Sequence, residues 1–406
     1  MKKIITSVFF LSLVVSCSNK GSVDFDNYQT KQVIDIDNTT NSFDIIDRIG
    51  DISVLNLNTE DSWVYLNYPK MIATDDRYFF LTDKTYYLIG YEKNGNLLFS
   101  KQIKGRGRGE VINVGNFFLN NDTLMVFDKV LGRILRYTKD GEFCSYLNRS
   151  EITADKLYNL DHSYFGLSIF TDNDKDGNYC IIFDENGNRI RSYLTLPQYL
   201  VGYNATVGRT DMSYVYHDTL RFMLNHNYHL FSFTKNGVES TYRFKSSKEM
   251  PKDYFGEISG FDLMDPKISG KIASEGFTHS FSGLFETDKY IIVSYYLNNT
   301  YSSLLYDKTI NACGTIIRPN NMFVESLVPE LTTLDIWKYI WFSFTRLCVN
   351  DNTVYGCIPF SLYQILSSTE SLFDEKIKTF YDELKKYVLE QDISAGDMIF
   401  IKMDLL

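Results

Sequence analysis

Residues 122–143 read DTLMVFDKVLGRILRYTKDGEF, and this stretch contains the unit from which the fold can be inferred. The apolar residues 124–127 and the segment 133–137 predict two short strands, and residues 128–132 form the loop between them. The sequence Lys139-Asp140-Gly141 then predicts a tight turn into a third strand, because Asp-Gly between strand-forming runs is a strong hairpin signal. The stretch therefore predicts antiparallel strands joined by short polar turns.

The same pattern recurs along the chain. A polar turn ending in glycine follows an aromatic-rich strand at Gly95, Gly141, Gly187 and Gly237, at intervals of 46, 46 and 50 residues, and a degenerate copy lies near Asn311. A period of about 45–50 residues with four short strands per unit is typical of a β-propeller. A fifth blade is predicted at about 281–318, and a sixth begins near Tyr339.

A six-bladed ring must also join its first and last blades. Residues 51–57, DISVLNL, predict a strand before blade 1, and residues 397–406, DMIFIKMDLL, predict a strand at the other end of the sequence. Pairing of these two strands in one blade would leave the ring without an open edge. Residues 370–392 carry an apolar stripe at helical spacing and predict an amphipathic helix inserted into the last blade. The predicted fold is all-β, a six-bladed β-propeller with four-stranded antiparallel blades.

The first residues predict export and lipidation. Lys2 and Lys3 precede the apolar run 4–15, which is shorter than the roughly 20 residues of a membrane-spanning helix. Cys17 follows a small residue in a pattern that resembles the bacterial lipobox, and this resemblance implies acylation of that cysteine. We therefore expect a signal peptide at 1–16, the lipidated Cys17 with a flexible tether at 17–44, and the propeller at 45–406.

Charge and composition narrow the range of partners. The formal net charge is -10, with 51 acidic and 41 basic residues, so a general nucleic-acid partner is excluded. The 30 tyrosines and 30 phenylalanines favour strands and a packed core. The predicted partners are the membrane, through the lipid anchor, and an unidentified protein, peptide or glycan.

The repeat, the lipobox and the segment 105–111 together resemble the lipidated six-bladed propellers of the Bacteroides group, which are NHL-like or TolB-like. That family has a segment similar to G.GPGEF between blades 1 and 2, and this chain has GRGRGEV, with Arg108 in place of the proline. The resemblance covers about residues 45–406. It implies the fold and a cell-envelope location at the outer membrane, on its periplasmic or its surface face, but no defined activity.

The segment KGRGRGE at 104–110 has three interpretations: a phosphate-binding loop, an Arg-Gly tract for nucleic acid, or a connection between blades. The acidic total argues against nucleic acid, and a strand-like sequence follows where a phosphate-binding loop requires a helix. We interpret it as a connection from an outer strand to the next inner strand, with Arg106 and Arg108 as candidate ligand contacts. We expect it to share one face with residues 172–177, 247–279 and 319–337.

The sequence contains one candidate metal site. Asp172, Asp174 and Asp176 precede Gly177 in the spacing that opens a calcium loop, since alternate carboxylates converge on a hard cation. The twelfth position of the loop is Phe183 instead of glutamate. The alternative is a solvated hairpin loop whose side chains bond their own backbone.

The remaining candidates are aromatic residues and cysteines. Trp337 and Trp341 border a long irregular segment, and we expect one of them, with Trp337 as the candidate, to be exposed for ligand stacking. Five cysteines follow Cys17, an odd number, and Cys348 and Cys357 flank a predicted turn where a disulfide is one alternative.

Function is predicted from these features together. The chain contains only five histidines and no G-x-S-x-G motif, so no catalytic triad is evident. The sequence favours an envelope-anchored binding protein over an enzyme. The alternative is a propeller hydrolase or lyase that uses a calcium ion or a pair of carboxylates in the central channel.

Overall fold

The computed structural model describes residues 28–39, 46–58, 69–82, 85–148, 152–168, 178–195, 212–224, 227–251, 254, 265–318, 331–393 and 397–406. Their strands form six sheets, and each sheet is one blade of a β-propeller. Blade 1 contains β3 (Lys70–Ala73), β4 (Arg77–Leu81), β5 (Tyr87–Glu92) and β6 (Leu97–Gln102); blade 2 contains β7 (Val114–Asn120), β8 (Thr123–Asp128), β9 (Arg133–Thr138) and β10 (Phe143–Asn148); blade 3 contains β11 (Lys156–Leu160), β12 (Ser163–Leu167), β13 (Asn178–Phe183) and β14 (Arg189–Thr195). Blade 4 contains β15 (Ser213–Tyr216), β16 (Thr219–Met223), β17 (His229–Thr234) and β18 (Gly237–Lys245); blade 5 contains β19 (His279–Glu286), β20 (Tyr290–Leu297), β21 (Thr300–Asp307) and β22 (Ala312–Ile317).

Four α-helices lie between these strands in the described part of the chain, in addition to the 3-10 helices Ile46–Arg48 and Glu370–Leu372. The α-helices are α1 (Pro266–Ser274), α2 (Thr333–Ser343), α3 (Phe360–Ser367) and α4 (Glu375–Glu390). None of the described helices is both long and apolar enough to cross a membrane. Helix α4 confirms the helix predicted near 370–392, and α3 is an additional helix in the same insertion.

The turns that revealed the repeat have the expected backbone. The four marker glycines all have positive φ, for example +78° at Gly141 and +79° at Gly187. Asn311, in the degenerate copy, also has a positive φ of +55°. Glycine and asparagine tolerate this conformation best, because most side chains clash with the backbone there. The prediction of a repeated antiparallel blade is confirmed.

Blade 6 closes the ring with strands from both ends of the fold. It contains β23 (Thr345–Asn350), β24 (Thr353–Pro359), β25 (Met398–Leu405) and, at its outer edge, β2 (Ile49–Val54). β2 pairs antiparallel with β25, with Ile49 opposite Leu405 and Val54 opposite Ile401. The predicted shared blade is therefore confirmed. Its pairing joins the first and last blades and leaves the ring without an open edge.

The start of blade 6 was predicted wrongly. Tyr339, the expected first residue, lies in α2, and the inner strand begins at Thr345. A capping box explains the helix: the Thr332 side chain accepts from the backbone N–H of Asp335, whose carboxylate accepts from the backbone N–H of Thr332. The aromatic residues of this segment suggested a strand, but they pack on one side of a helix.

The predicted tether is wrong for the described part of residues 17–44. β1 (Gln32–Asp35) runs parallel to β18 and forms a fifth strand at the outer edge of blade 4. Ile34 from this strand is 2% exposed, so its burial contributes to the core. Residues 17–27 and 40–44 of the predicted tether, and the signal peptide at 1–16, lie outside the described residues.

The core consists of apolar clusters between adjacent blades. Aromatic rings provide much of each contact, as between Phe165 of blade 3 and Phe233 of blade 4, whose ring centroids lie 4.9 Å apart. Phe80 of blade 1 meets Phe400 of blade 6 at 5.0 Å. The cluster at blades 5 and 6 is extended by α2, α3 and α4. The abundance of tyrosine and phenylalanine is thus explained by blade-to-blade packing.

Candidate functional site

The two faces of the propeller differ in what they carry. In each antiparallel blade, the connection from the second to the third strand and the connection to the next blade leave at the same end of the strands. We call this end the loop-rich face, and the opposite end, with the remaining hairpin turns, the turn face. All four described α-helices lie in connections of the loop-rich face. Loops held by a rigid scaffold are common places for binding sites.

The segment 104–110 connects β6 to β7 on the loop-rich face, as predicted. The Gly105 N–H donates to the carbonyl of Val111 at 2.9 Å, and the Gly107 N–H donates to Glu110 Oε2 at 2.7 Å. Gly105 has a φ of +153°, and a Cβ on it would lie 2.0 Å from the Glu110 carboxylate, so glycine is required there. The interpretation of this segment as an ordered connection is supported by these contacts.

The two arginines of this segment point to solvent. Arg106 and Arg108 are exposed, and within the described ranges neither side chain makes an ion pair or a hydrogen bond. The backbone beneath them is fixed from blade 2, where the hydroxyl of Tyr137 donates to the Gly109 carbonyl at 2.9 Å and Arg133 donates to the Glu110 carbonyl. The structure thus presents two cations on a firmly held loop, and whether they contact a ligand stays a prediction.

Helices lie in the described parts of the longer irregular segments on this face. Residues 265–279 contain α1, and residues 331–337 contain the start of α2. Trp337 and Trp341 both lie in α2, and each is only 2% exposed. The expected exposure of a tryptophan is therefore wrong: Trp337 donates from Nε1 to the Asp374 carboxylate at 2.7 Å and packs in the core beneath α4. Because the two tryptophans are four residues apart on a helix, both rings lie on the same side of α2 and face the core. An interpretation of this segment as a strand does not predict that burial.

The predicted metal loop cannot be located. Asp172, Asp174 and Asp176 lie outside the described residues, and so does Cys17. Within the described ranges, no group of three or more histidine, cysteine, aspartate or glutamate side chains is placed to hold a metal ion. The calcium site and the lipidated cysteine stay predictions.

The two cysteines considered for a disulfide are free thiols. Cys348 lies opposite Tyr355, and Cys357 lies opposite Thr345, so the two cysteines do not face each other across the hairpin. Burial raises the pKa of each thiol to about 12. They are therefore protonated and act as small apolar side chains.

Sequence reasoning missed the most unusual group, which is Arg346 on the inner strand of blade 6. Its side chain is half-buried, and the buried Nε donates to no acceptor. No carboxylate lies within ion-pair distance of it in the described part of the chain. Instead the guanidinium packs on aromatic rings, with Cζ 4.7 Å from the Trp341 ring centroid and 5.0 Å from that of Phe285. Burial lowers the pKa of Arg346 to about 10, which still leaves it charged at neutral pH.

The two inner strands beside Arg346 are irregular. The pairing of β23 shifts between Arg346 and Cys348, and the facing inner strand β19 shifts twice between His279 and Phe285. Within β19, Ser280 has a φ of +52° although it is not a glycine. Bulges of this kind redirect side chains and are frequent beside functional sites, and a strained non-glycine residue has the same association.

The facing strand β19 carries neutral hydrogen-bonding groups. Arg346 Nη1 faces Gly283, where a Cβ would lie 3.2 Å away, and Ser282 Oγ lies 3.1 Å from the Tyr301 hydroxyl. His279 stacks on Tyr296 with ring centroids 5.5 Å apart, and its buried Nε2 has no hydrogen-bond partner. Burial lowers the pKa of His279, so this ring is neutral at pH 7. The arrangement places the Arg346 guanidinium near aromatic rings and neutral polar groups, and we call it the Arg346 site.

The alternative enzymatic site, a pair of facing carboxylates, finds no support at the most buried acid. Glu286 lies at the end of β19 and its side chain is 0% exposed, but it contacts cations: Arg221 Nε at 3.1 Å and Lys308 Nζ at 2.7 Å. The Tyr214 hydroxyl donates to the same carboxylate at 3.2 Å. This carboxylate therefore lies between two cations and links blades 4 and 5.

A cleft of about 360 Å³ opens between blades 2 and 3 on the turn face. Its lining includes Arg136, Asn159, Tyr164 and the acid Glu185. The cleft contains both signs of charge, and Glu185 Oε1 lies 3.5 Å from His162 Nδ1. Such mixed charge is typical of an ordinary solvated groove, and we therefore do not choose this cleft as the candidate site.

These features define a class of protein: a closed six-bladed β-propeller whose described α-helices all lie on one face. The chain belongs to the family described as a domain of unknown function, DUF4934, whose model matches residues 31–388. No curated protein matches it.

Solved structures agree with the fold. An inferred exported protein from Bacteroides fragilis has a TM-score of 0.69 at 15% identity, covering 91% of this chain and 98% of its own. A DUF4221 family member from Bacteroides vulgatus has a TM-score of 0.46 at 9% identity, covering 88% and 97%. A streptogramin B lyase has a TM-score of 0.37 at 11% identity, covering 67% and 74%. At these identities the similarity concerns the fold alone. The two TM-scores below 0.5 support no inference about this chain, so the similarity to a lyase says nothing about its activity.

Proposed function

We propose that this protein is an envelope-anchored lipoprotein whose propeller binds a protein, peptide or glycan partner through the loop-rich face. The observation that carries the proposal is the concentration of the described α-helices and of the exposed Arg106 and Arg108 on that one face. A rigid closed ring supplies a fixed platform, so little conformational entropy is lost when a partner binds.

The location rests on two separate supports. The lipobox-like sequence before Cys17 implies acylation, and the B. fragilis protein with the same fold is described as exported. An acylated Cys17 would hold the ring near a membrane, at the outer membrane and on either its periplasmic or its surface face. NHL-like or TolB-like membership remains part of this proposal.

The experiment is a binding comparison on peptide and glycan arrays with the full-length, membrane-extracted chain. The variant R106E/R108E reverses the charge of the exposed loop, and we expect its affinity for the strongest array component to fall by about tenfold or more. The matched control, R191E/K289E, makes the same charge change at exposed residues away from that loop, on the outer strand of blade 3 and on a blade 5 hairpin turn. Equal losses in both variants would show that only net charge matters, and no loss in the first would contradict the proposed face.

A further inference from the structure

We propose that the Arg346 site binds a monoanionic carboxylate carried by an apolar or aromatic group. This inference rests on the proposed binding function and specifies one chemical class of ligand for it. The site combines a half-buried guanidinium, two aromatic walls and a set of neutral polar groups between the inner strands of blades 5 and 6.

The first argument is the missing counter-charge. Two other buried arginines pair with an acid: Arg133 with Asp128 at 3.6 Å, and Arg221 with Glu286 at 3.1 Å. Arg346 has no such partner among the described residues, and its Nε hydrogen, like those of Arg133 and Arg136, is buried without an acceptor. A buried charge with an unmade hydrogen bond is costly for stability, so its retention is explained if an anion occupies the site.

The second argument concerns the charge of that anion. Burial holds His279 neutral and Ser282 carries no charge, so Arg346 supplies the positive charge beside the Trp341 and Phe285 rings. A carboxylate balances one guanidinium, whereas a phosphate monoester would bring close to two negative charges. A guanidinium also matches a carboxylate through two parallel N–H···O bonds.

The third argument concerns the body of the ligand. Trp341 and Phe285 form the rings beside the guanidinium, and Tyr301 packs on Phe342 with centroids 5.7 Å apart. Arg318 Cζ also lies 5.9 Å from the Tyr301 ring. These rings favour an apolar group next to the carboxylate, because burial of apolar surface adds to the binding of the charged end.

The test is a titration of the full-length chain with three probes: benzoate, the neutral isostere benzamide, and phenyl phosphate. We expect benzoate to bind at least about tenfold more tightly than either of the others, because only benzoate matches both the single charge and the rings. Equal binding of benzoate and benzamide, preference for phenyl phosphate, or absence of benzoate binding up to about 10 mM would each overturn the proposal.

Two variants identify the residue. Arg346→Met removes the charge and keeps the length of the side chain, so benzoate binding should fall by about tenfold or more while the melting temperature does not fall. Arg346→Lys keeps a positive charge but loses the two parallel bonds, and we expect it to fold and still to lose about tenfold. Arg191→Met, at an exposed arginine, is the control and should bind benzoate as the wild type does. Unchanged binding in both Arg346 variants would overturn the proposal.

The outcome is separable from that of the proposed function. Loss of array binding in R106E/R108E with no benzoate binding would leave the loop-rich face supported and remove the Arg346 site. Benzoate binding that depends on Arg346, together with array binding that ignores the loop arginines, would do the reverse.

Discussion

Replacement of Glu286 by glutamine should destabilise the protein by about 3–5 kcal/mol, because it leaves two buried cations without their common counter-ion. Arg221 lies 3.1 Å and Lys308 2.7 Å from this carboxylate, and neither has another acid at comparable distance in the described residues. For a ring of this size we expect the melting temperature to fall by about 4–6 °C. The measurement is thermal unfolding followed by circular dichroism at pH 7.

A second variant separates charge from packing in this prediction. Burial lowers the pKa of Lys308, which indicates that its positive charge is already costly. E286Q/K308M removes one cation together with the acid, and we expect it to recover at least about half of the lost stability. Asp161→Asn breaks an exposed ion pair with Lys235 instead and should leave the melting temperature unchanged. A single Glu286→Gln variant as stable as the wild type would refute the role of this cluster.

Replacement of Ile401 by aspartate should have a similar or larger effect, because it places a charge in the closing blade. Ile401 is 0% exposed in β25, and it lies opposite Val54 of β2 on one side and Gly356 of β24 on the other. Loss of its apolar burial and desolvation of the carboxylate should together cost about 4 kcal/mol or more. The expected fall in melting temperature is about 5 °C or more.

The location of the destabilised strands distinguishes opening of the closing blade from unfolding of the whole ring. Hydrogen exchange should accelerate more in β2 than in β9 of blade 2, because β2 is held in the ring by its pairing with β25. The control is Leu389→Asp on α4, where the side chain is 73% exposed and the change should stay within about 0.5 kcal/mol. Equal acceleration in every blade would show that the ring does not open at this closure.

The fold could be predicted because its signals are local. An Asp-Gly or Asn-Gly turn between apolar strands requires only a few residues, and its repetition at a constant interval indicates the blades. Closure could be predicted as well, since unpaired strands at the two ends of the repeat had to pair somewhere. Helix α2 was missed because its capping box occupies four residues within an aromatic segment that also suits a strand.

The candidate site could be predicted only in part. Arg106 and Arg108 lie in a connection, so their exposure followed from the position of the loop. The prediction that Trp337 is exposed was wrong, because the orientation of its side chain depends on helix α2, which the sequence pattern did not indicate. Nothing in the sequence pattern marked Arg346 as a candidate, because a charged residue in a strand usually faces solvent. The lack of a neighbouring acid depends on how the blades pack and can be seen only in the structure.

Both proposed contacts belong to one description of binding. The exposed arginines lie on the loop-rich face, and Arg346 lies on an inner strand between blades 5 and 6. A partner with a carboxylate and an apolar group could use the loop arginines for electrostatic attraction and the Arg346 site for specific recognition.

The most direct test of the binding face is hydrogen exchange of the full-length chain with and without the array component that it binds best. We expect slower hydrogen exchange in residues 103–113 and in the inner strands β19 and β23 when the component is bound, with no change in the turns at 217–218 and 287–289 on the turn face. Protection confined to those turns, with residues 103–113, β19 and β23 unchanged, would contradict this expectation.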